Sequence, residues 1–157
     1  MSVDGPIVEN KMFFFVNFEK DERTDLGQYW SPNTGTGAIN ESRVLESNLM
    51  DVQSLLGGIG YDPGAYEGYT HASNSTQGIF KLDWNLNENH RLALIYNFLE
   101  ASKEKNAHPT VLRFRGPNKQ ILQFENSGYQ MNNKLNSFLA ELNSKFDDNV
   151  TNKFQIG

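Results

Sequence analysis

Apolar and polar positions alternate along five stretches of the chain, and a period of two marks a strand with two different faces. In residues 11–23, Met12, Phe14, Val16 and Phe18 fall on one face. The other face carries Phe13 and Phe15, then Asn17, Glu19 and Asp21, so it turns from apolar to polar along its length. In residues 78–87, Ile79, Lys81, Asp83 and Asn85 oppose Phe80, Leu82, Trp84 and Leu86. Residues 91–101 set Leu92, Leu94, Tyr96 and Phe98 against Ala93, Ile95, Asn97 and Leu99. Residues 133–146 set Phe138, Ala140, Leu142 and Phe146 against Ser137, Leu139, Glu141, Asn143 and Lys145. In residues 151–157, Phe154 and Ile156 alternate with Lys153 and Gln155.

The connections are of two kinds. Residues 87–90 and 147–149 are polar and of hairpin length, whereas 24–74 and 102–128 are long. In an antiparallel meander alternate connections lie at opposite ends, so the long loops are expected at one end and the short turns at the other. Within the first long loop a helix is expected over about 41–56. Asn40 or Ser42 would cap it, Val44, Leu45, Leu49, Val52 and Leu56 follow helical spacing, and Gly57–Gly58 would end it. "GYDPG", around Pro63, is turn chemistry.

Composition changes this picture in three ways. Hydrophobic residues make up 38% and aromatics 12%, which favours pleated structure over helix. A net charge of −5 argues against nucleic acid as a partner. The absence of cysteine excludes disulfides, thiolate catalysis and cysteine-bound zinc. No apolar run approaches the ~20 residues of a spanning helix, and "MSVDGPIVEN" has neither the basic start nor the apolar run of a signal peptide.

Candidate chemistry is sparse. His71, His90 and His108 are far apart and no spacing suggests a metal site. Glu100 with Glu104, and Asp62 with Glu67, are ordinary acidic spacing rather than a glycosidase pair. Gly35–Gly37 and Gly57–Gly60 do not follow a strand and open a helix, so they are not nucleotide loops. No catalytic residue, metal ligand or cofactor is assigned, and the chain is not expected to be an enzyme.

The alternation suits two architectures. One is a soluble β-sandwich whose apolar faces meet in a core. The other is a transmembrane barrel wall, with strands of ~9–11 residues or more, short turns on one side and long loops on the other. The motifs add a resemblance. "DGPIVENKMFFFVNFE" resembles the start of the barrel in Oar-like TonB-dependent receptors, which are outer-membrane transporters of Gram-negative bacteria. Gly5, Pro6, Ile7, Lys11, Phe13, Phe14, Phe15, Val16, Asn17, Phe18 and Glu19 carry it. "GYDPG" and "KLDWNLNENHRLALIYNFLEA" (residues 81–101) resemble that family in the same order, and the likeness runs over residues 5–157.

The resemblance implies an all-β fold: an antiparallel up-and-down meander of about five long strands, an incomplete segment of a transmembrane barrel, with one short helix in the first long loop. Residues 1–157 would then be a partial receptor barrel, with signal peptide, plug and remaining strands absent. It places the protein in the cell outer membrane and implies, for a parent receptor, import of a scarce solute (an iron chelate, oligosaccharide or peptide) with energy from TonB. The fragment alone is not expected to transport. The implied partners are outer-membrane lipid, its own plug and through it TonB, and an external solute. Met12, Phe14, Val16, Phe18, Phe80, Leu82, Trp84, Leu92, Leu94, Tyr96, Phe98, Phe138 and Leu142 would face lipid. Phe13, Phe15, Asn17, Glu19, Lys81, Asp83, Asn85, Asn97, Glu141 and Asn143 would face the lumen or plug. A soluble β-sandwich binding module, with carbohydrate as one candidate ligand, and a structural or adhesive outer-membrane barrel remain as alternatives.

Overall fold

The computed structural model describes residues 1–107 and 119–157. His108 and the middle of the second long loop lie outside the described residues. In chain order the elements are β1 (Ser2–Val8), β2 (Met12–Leu26), β3 (Ser31–Asn33), β4 (Glu41–Leu45), helix α1 (Glu46–Gly58), β5 (Thr70–Asn85), β6 (His90–Lys105), a 3-10 turn (Glu125–Ser127), β7 (Tyr129–Asp147) and β8 (Val150–Ile156). Six of the strands form one sheet in the order β1-β2-β5-β6-β7-β8, and β3 and β4 form a separate pair. The fold is therefore a mostly antiparallel all-β meander with one short α-helix, as the alternation predicts.

Three boundaries differ from the sequence expectation. A strand, β1, precedes the first expected one and pairs with β2, with Val3 opposite Val16 and Gly5 opposite Phe14. Pro6 is tolerated there because β1 is an edge strand. The long strands also run past their apolar segments. β2 continues through the charged run to Leu26, β5 starts at Thr70, and β6 reaches Lys105, so both long connections are shorter than 24–74 and 102–128.

The helix begins at Glu46 rather than near residue 41, and its N-cap position is Leu45 rather than Asn40 or Ser42. Residues 41–45 are held extended instead. They pair in parallel with β3, and the Glu41 carboxylate accepts the backbone N–H groups of Thr34 (2.7 Å), Thr36 (3.2 Å) and Gly37 (2.9 Å). A carboxylate that satisfies three loop donors fixes its own residue outside the helix.

By contacts the chain divides into two compact units. The first comprises Met1–Asp21, Asn74–Ala101 and Asn132–Gly157, and the second Glu22–Ser73 and Ser102–Met131. The first is sheet alone; the second contains α1, the β3–β4 pair and the loop segments.

Candidate functional site

In the first unit the sheet sorts side chains by parity. Even-numbered residues of β2, β5, β6, β7 and β8 share one face. Phe18, Phe80, Tyr96 and Phe98 form a run of rings with centroids 6.3–6.4 Å apart, and the Tyr96 hydroxyl donates to Asn136 Oδ1 at 2.7 Å. At the strand ends His90 meets Phe146 edge-on. Leu142 lies opposite Phe154 and Ala140 opposite Ile156, which carries the apolar belt to the β8 edge. All thirteen expected lipid-facing residues, from Met12 to Leu142, fall on this even face by the alternation of their strands. Gly78 is part of its construction, because a Cβ there would meet the Phe98 ring (Cζ at 2.9 Å) and the Asn17 carbonyl (3.0 Å).

The odd face has different chemistry. Glu19 accepts from Gln77 Nε2 at 2.7 Å across β2 and β5. Asp83 is shared by Lys81 (2.8 Å) and Arg91 (3.3 Å) across β5 and β6. Glu141 accepts from Asn143 (2.7 Å), Gln155 (2.6 Å) and Lys153 (2.8 Å) across β7 and β8. The ten expected lumen-facing residues all belong to this face. Asn85 donates to the Asn10 carbonyl (3.3 Å), and Phe13 and Phe15 sit opposite Pro6 and Asp4 of β1.

The odd face also carries a depression of about 380 Å³, lined among others by Phe15 of β2, Ile79 of β5, Asn97 of β6 and Leu135 of β7.

Packing within the described residues is shallow. Leu49, Tyr69 and Ala93 are the buried apolar residues, and no large side chain is fully enclosed. Phe18, Phe80 and Phe138 keep 47%, 46% and 54% of their surface exposed. Nothing in the first unit covers the aromatic face.

The second unit brings together residues that the sequence leaves scattered. "GYDPG" is fastened to the 3-10 turn. Asn126 N–H donates to the Pro63 carbonyl (3.0 Å), Asn126 Nδ2 to the Asp62 carbonyl (3.0 Å), and the Tyr61 hydroxyl to the Asn126 carbonyl (3.4 Å). Glu125 N–H donates to the Ala65 carbonyl (2.8 Å), and Ala65 N–H donates to Glu125 Oε2 (3.3 Å). Gly64 has φ +76°, and a Cβ there would stand 3.0 Å from Glu125 Cβ, so glycine is required twice over. Below this clamp the Tyr69 hydroxyl donates to Asn106 Oδ1 (3.3 Å), which also meets His71 Nε2 (3.0 Å). Burial raises the Tyr69 hydroxyl above its ordinary value, with Glu125 adding to the effect. Of the expected histidines, His71 thus belongs to a polar network and His90 to the even-face belt. Glu104 accepts the Ala72 N–H (2.7 Å) and Asp62 accepts the Gly64 N–H (2.9 Å), whereas Glu100 pairs with Lys134 in the first unit, on the even positions of β6 and β7.

The sequence reading missed Glu41, whose carboxylate fills a nest of backbone donors, and the clamp. Gly35 and Gly37, both at positive φ, were the visible trace of the nest. Among the described residues no group of histidine and acidic side chains is placed to hold a metal ion, and no helix is long and apolar enough to cross a membrane. No family model matches the chain, and neither a curated protein nor a solved structure matches it.

Proposed function

We propose that the chain is a segment of the wall of an outer-membrane β-barrel of the TonB-dependent receptor type. In that reading the even face meets lipid, the odd face meets a lumen or plug, and the residues between β2 and β5 and between β6 and β7 form the outer, solute-meeting side. The observation that carries the reading is the six-stranded sheet with an uncovered aromatic face on one side and a face crossed by hydrogen bonds and ion pairs on the other. A soluble sheet with so many half-exposed phenylalanines would aggregate through them, whereas hydrocarbon is a suitable solvent for that face.

The dimensions support the same reading. From Met12 to Phe18 the apolar run spans ~20 Å along the strand, and from Phe138 to Phe146 ~27 Å, broken by Ser144. A barrel's outer apolar band is ~25 Å tall. Phe13 and Phe15 on the inner face favour a plugged lumen over an open structural or adhesive barrel, since a water-filled pore would not reward two inward rings. The parent receptor would import its solute through coupling to TonB, and this segment by itself would not transport.

The test is to refold the full chain with and without short-chain phosphatidylcholine vesicles. Strand-rich circular dichroism and protease protection only with vesicles would support a membrane wall. A monodisperse chain that unfolds cooperatively in plain buffer would instead support the soluble sandwich.

A further inference from the structure

We propose that the second unit carries a preformed binding site for a neutral, polyhydroxylated solute of about one sugar ring. This inference rests on the reading above only for where the solute comes from; the site itself is built within one unit. The cavity measures about 290 Å³ and is lined in part by His71, Glu104, Lys105, Glu125, Asn126 and Tyr129. That is just under the ~300–1,000 Å³ of small-molecule sites, which suits one ring better than a chain.

Four lining side chains are each anchored through one polar atom, leaving a second atom that the anchoring bond does not use. The Asn106 amide donates to the Gly27 carbonyl at 2.8 Å, which fixes its oxygen toward His71. His71 therefore donates from Nε2, and that bond leaves its Nδ1. Glu104 is anchored by the Ala72 N–H and Glu125 by the Ala65 N–H, each through Oε2, which leaves Oε1. Asn126 is anchored through Nδ2 to the Asp62 carbonyl, which leaves Oδ1. Anchored side chains lose little further freedom on binding, so their hydrogen bonds count more fully toward affinity.

The spare carboxylate and amide oxygens are acceptors, which suits a ligand rich in donors, while Thr70 and Gln130 of the same lining add a hydroxyl and an amide for its acceptors. Two carboxylates disfavour an anion, and Lys105 in the same lining opposes a cation. A neutral ligand with several hydroxyls satisfies both constraints. Tyr129 is 41% exposed and offers a flat apolar surface to the C–H face of such a ring. The clamp between "GYDPG" and the 3-10 turn holds Glu125 and Asn126 in place, so the site needs no closure to form.

The experiment is saturation-transfer NMR and calorimetry on the full chain, with D-glucose, D-galactose and D-mannose as probes and L-lysine and citrate as charged comparators. The expected result is saturable binding of at least one hexose, with its ring C–H protons receiving the strongest transfer and neither comparator competing. Tyr129→Ala and Glu104→Gln should each weaken it at least tenfold, while Tyr129→Phe, which keeps the ring, should stay within threefold. Unchanged circular dichroism in each variant separates lost contacts from lost fold. No saturable hexose binding, preference for lysine or citrate, or equal affinity in Tyr129→Ala and the parent would overturn the proposal. Hexose binding by a chain that fails to enter vesicles would keep the site and sink the membrane wall. Vesicle entry without hexose binding would do the reverse.

Discussion

Replacing Gly78 by alanine tests the aromatic face at its tightest point. The new methyl group would overlap the Phe98 ring and approach the Asn17 carbonyl at 3.0 Å, which is backbone and cannot swing away. Two responses are open. If Phe98 stays, the site is overpacked at a cost of about 1–3 kcal/mol. If Phe98 turns away, it gives up three ring contacts, to Phe18, Phe80 and Tyr96, each with centroids 6.4 Å apart. Such pairs contribute roughly 0.5–1.5 kcal/mol each, so the loss again falls near 1–3 kcal/mol once partial repacking is allowed. The assay is urea unfolding of the full chain in vesicles, in a Trp30→Phe background so that Trp84 of β5 alone reports. The partner variant Phe98→Leu makes room for the methyl group. The double variant Gly78→Ala/Phe98→Leu should therefore be more stable than the sum of the single losses by about 1 kcal/mol. The reasoning fails if Gly78→Ala lies within about 0.5 kcal/mol of the parent, or if the two substitutions are additive.

Further outcomes follow from the nest, the two faces and the clamp. The Thr34 N–H, then the Gly37 and Thr36 N–H groups, hold the Glu41 carboxyl below its ordinary value, so its contribution is full above the ordinary carboxylate range and is lost as pH falls through the lowered value. Glu41→Gln should flatten the stability–pH curve on that acid side; an unchanged slope would contradict the nest. Val16→Arg should impair folding into vesicles by about 2–4 kcal/mol, the cost of a charge on the lipid face near the midplane, while Asn17→Arg on the opposite face should cost little, as read by the folded fraction against urea. Gly64→Ala should speed hydrogen exchange at the Glu125 and Asn126 amides by tenfold or more, because the left-handed backbone and the 3.0 Å approach both resist a side chain.

Much of this fold is readable because alternation is strict wherever one face must differ from the other. Phe14 and Phe15, or Leu82 and Asp83, declare opposite sides without reference to any partner strand. The strand extensions are not readable, because "KDERTDL" in β2 and "THASNST" in β5 are polar on both faces and carry no period. β1 is hidden because Gly5 and Pro6 interrupt any alternation there, although at a sheet edge a missing N–H has no ladder to break. The early helix start misleads because Val44 and Leu45 fit helical spacing as well as they fit β4. Only the three-dimensional contact of Glu41 with the 34–37 backbone decides between them. The clamp and the cavity are long-range meetings of residues some 60 apart in sequence, as in Asn126 with Asp62 at |i−j| = 64, and no local pattern announces them.

The central claim is that one face meets lipid and the other a lumen, and the absence of cysteine makes it directly measurable. Single cysteines placed at Val16, Leu82 and Leu94, and at Asn17, Asp83 and Asn97, can be exposed to a membrane-impermeant thiol reagent after reconstitution into vesicles. The account predicts that the three even positions are protected and labelled only by a lipid-soluble maleimide, while the three odd positions react with the impermeant reagent. Equal labelling of both sets, or protection of the odd set alone, would contradict it.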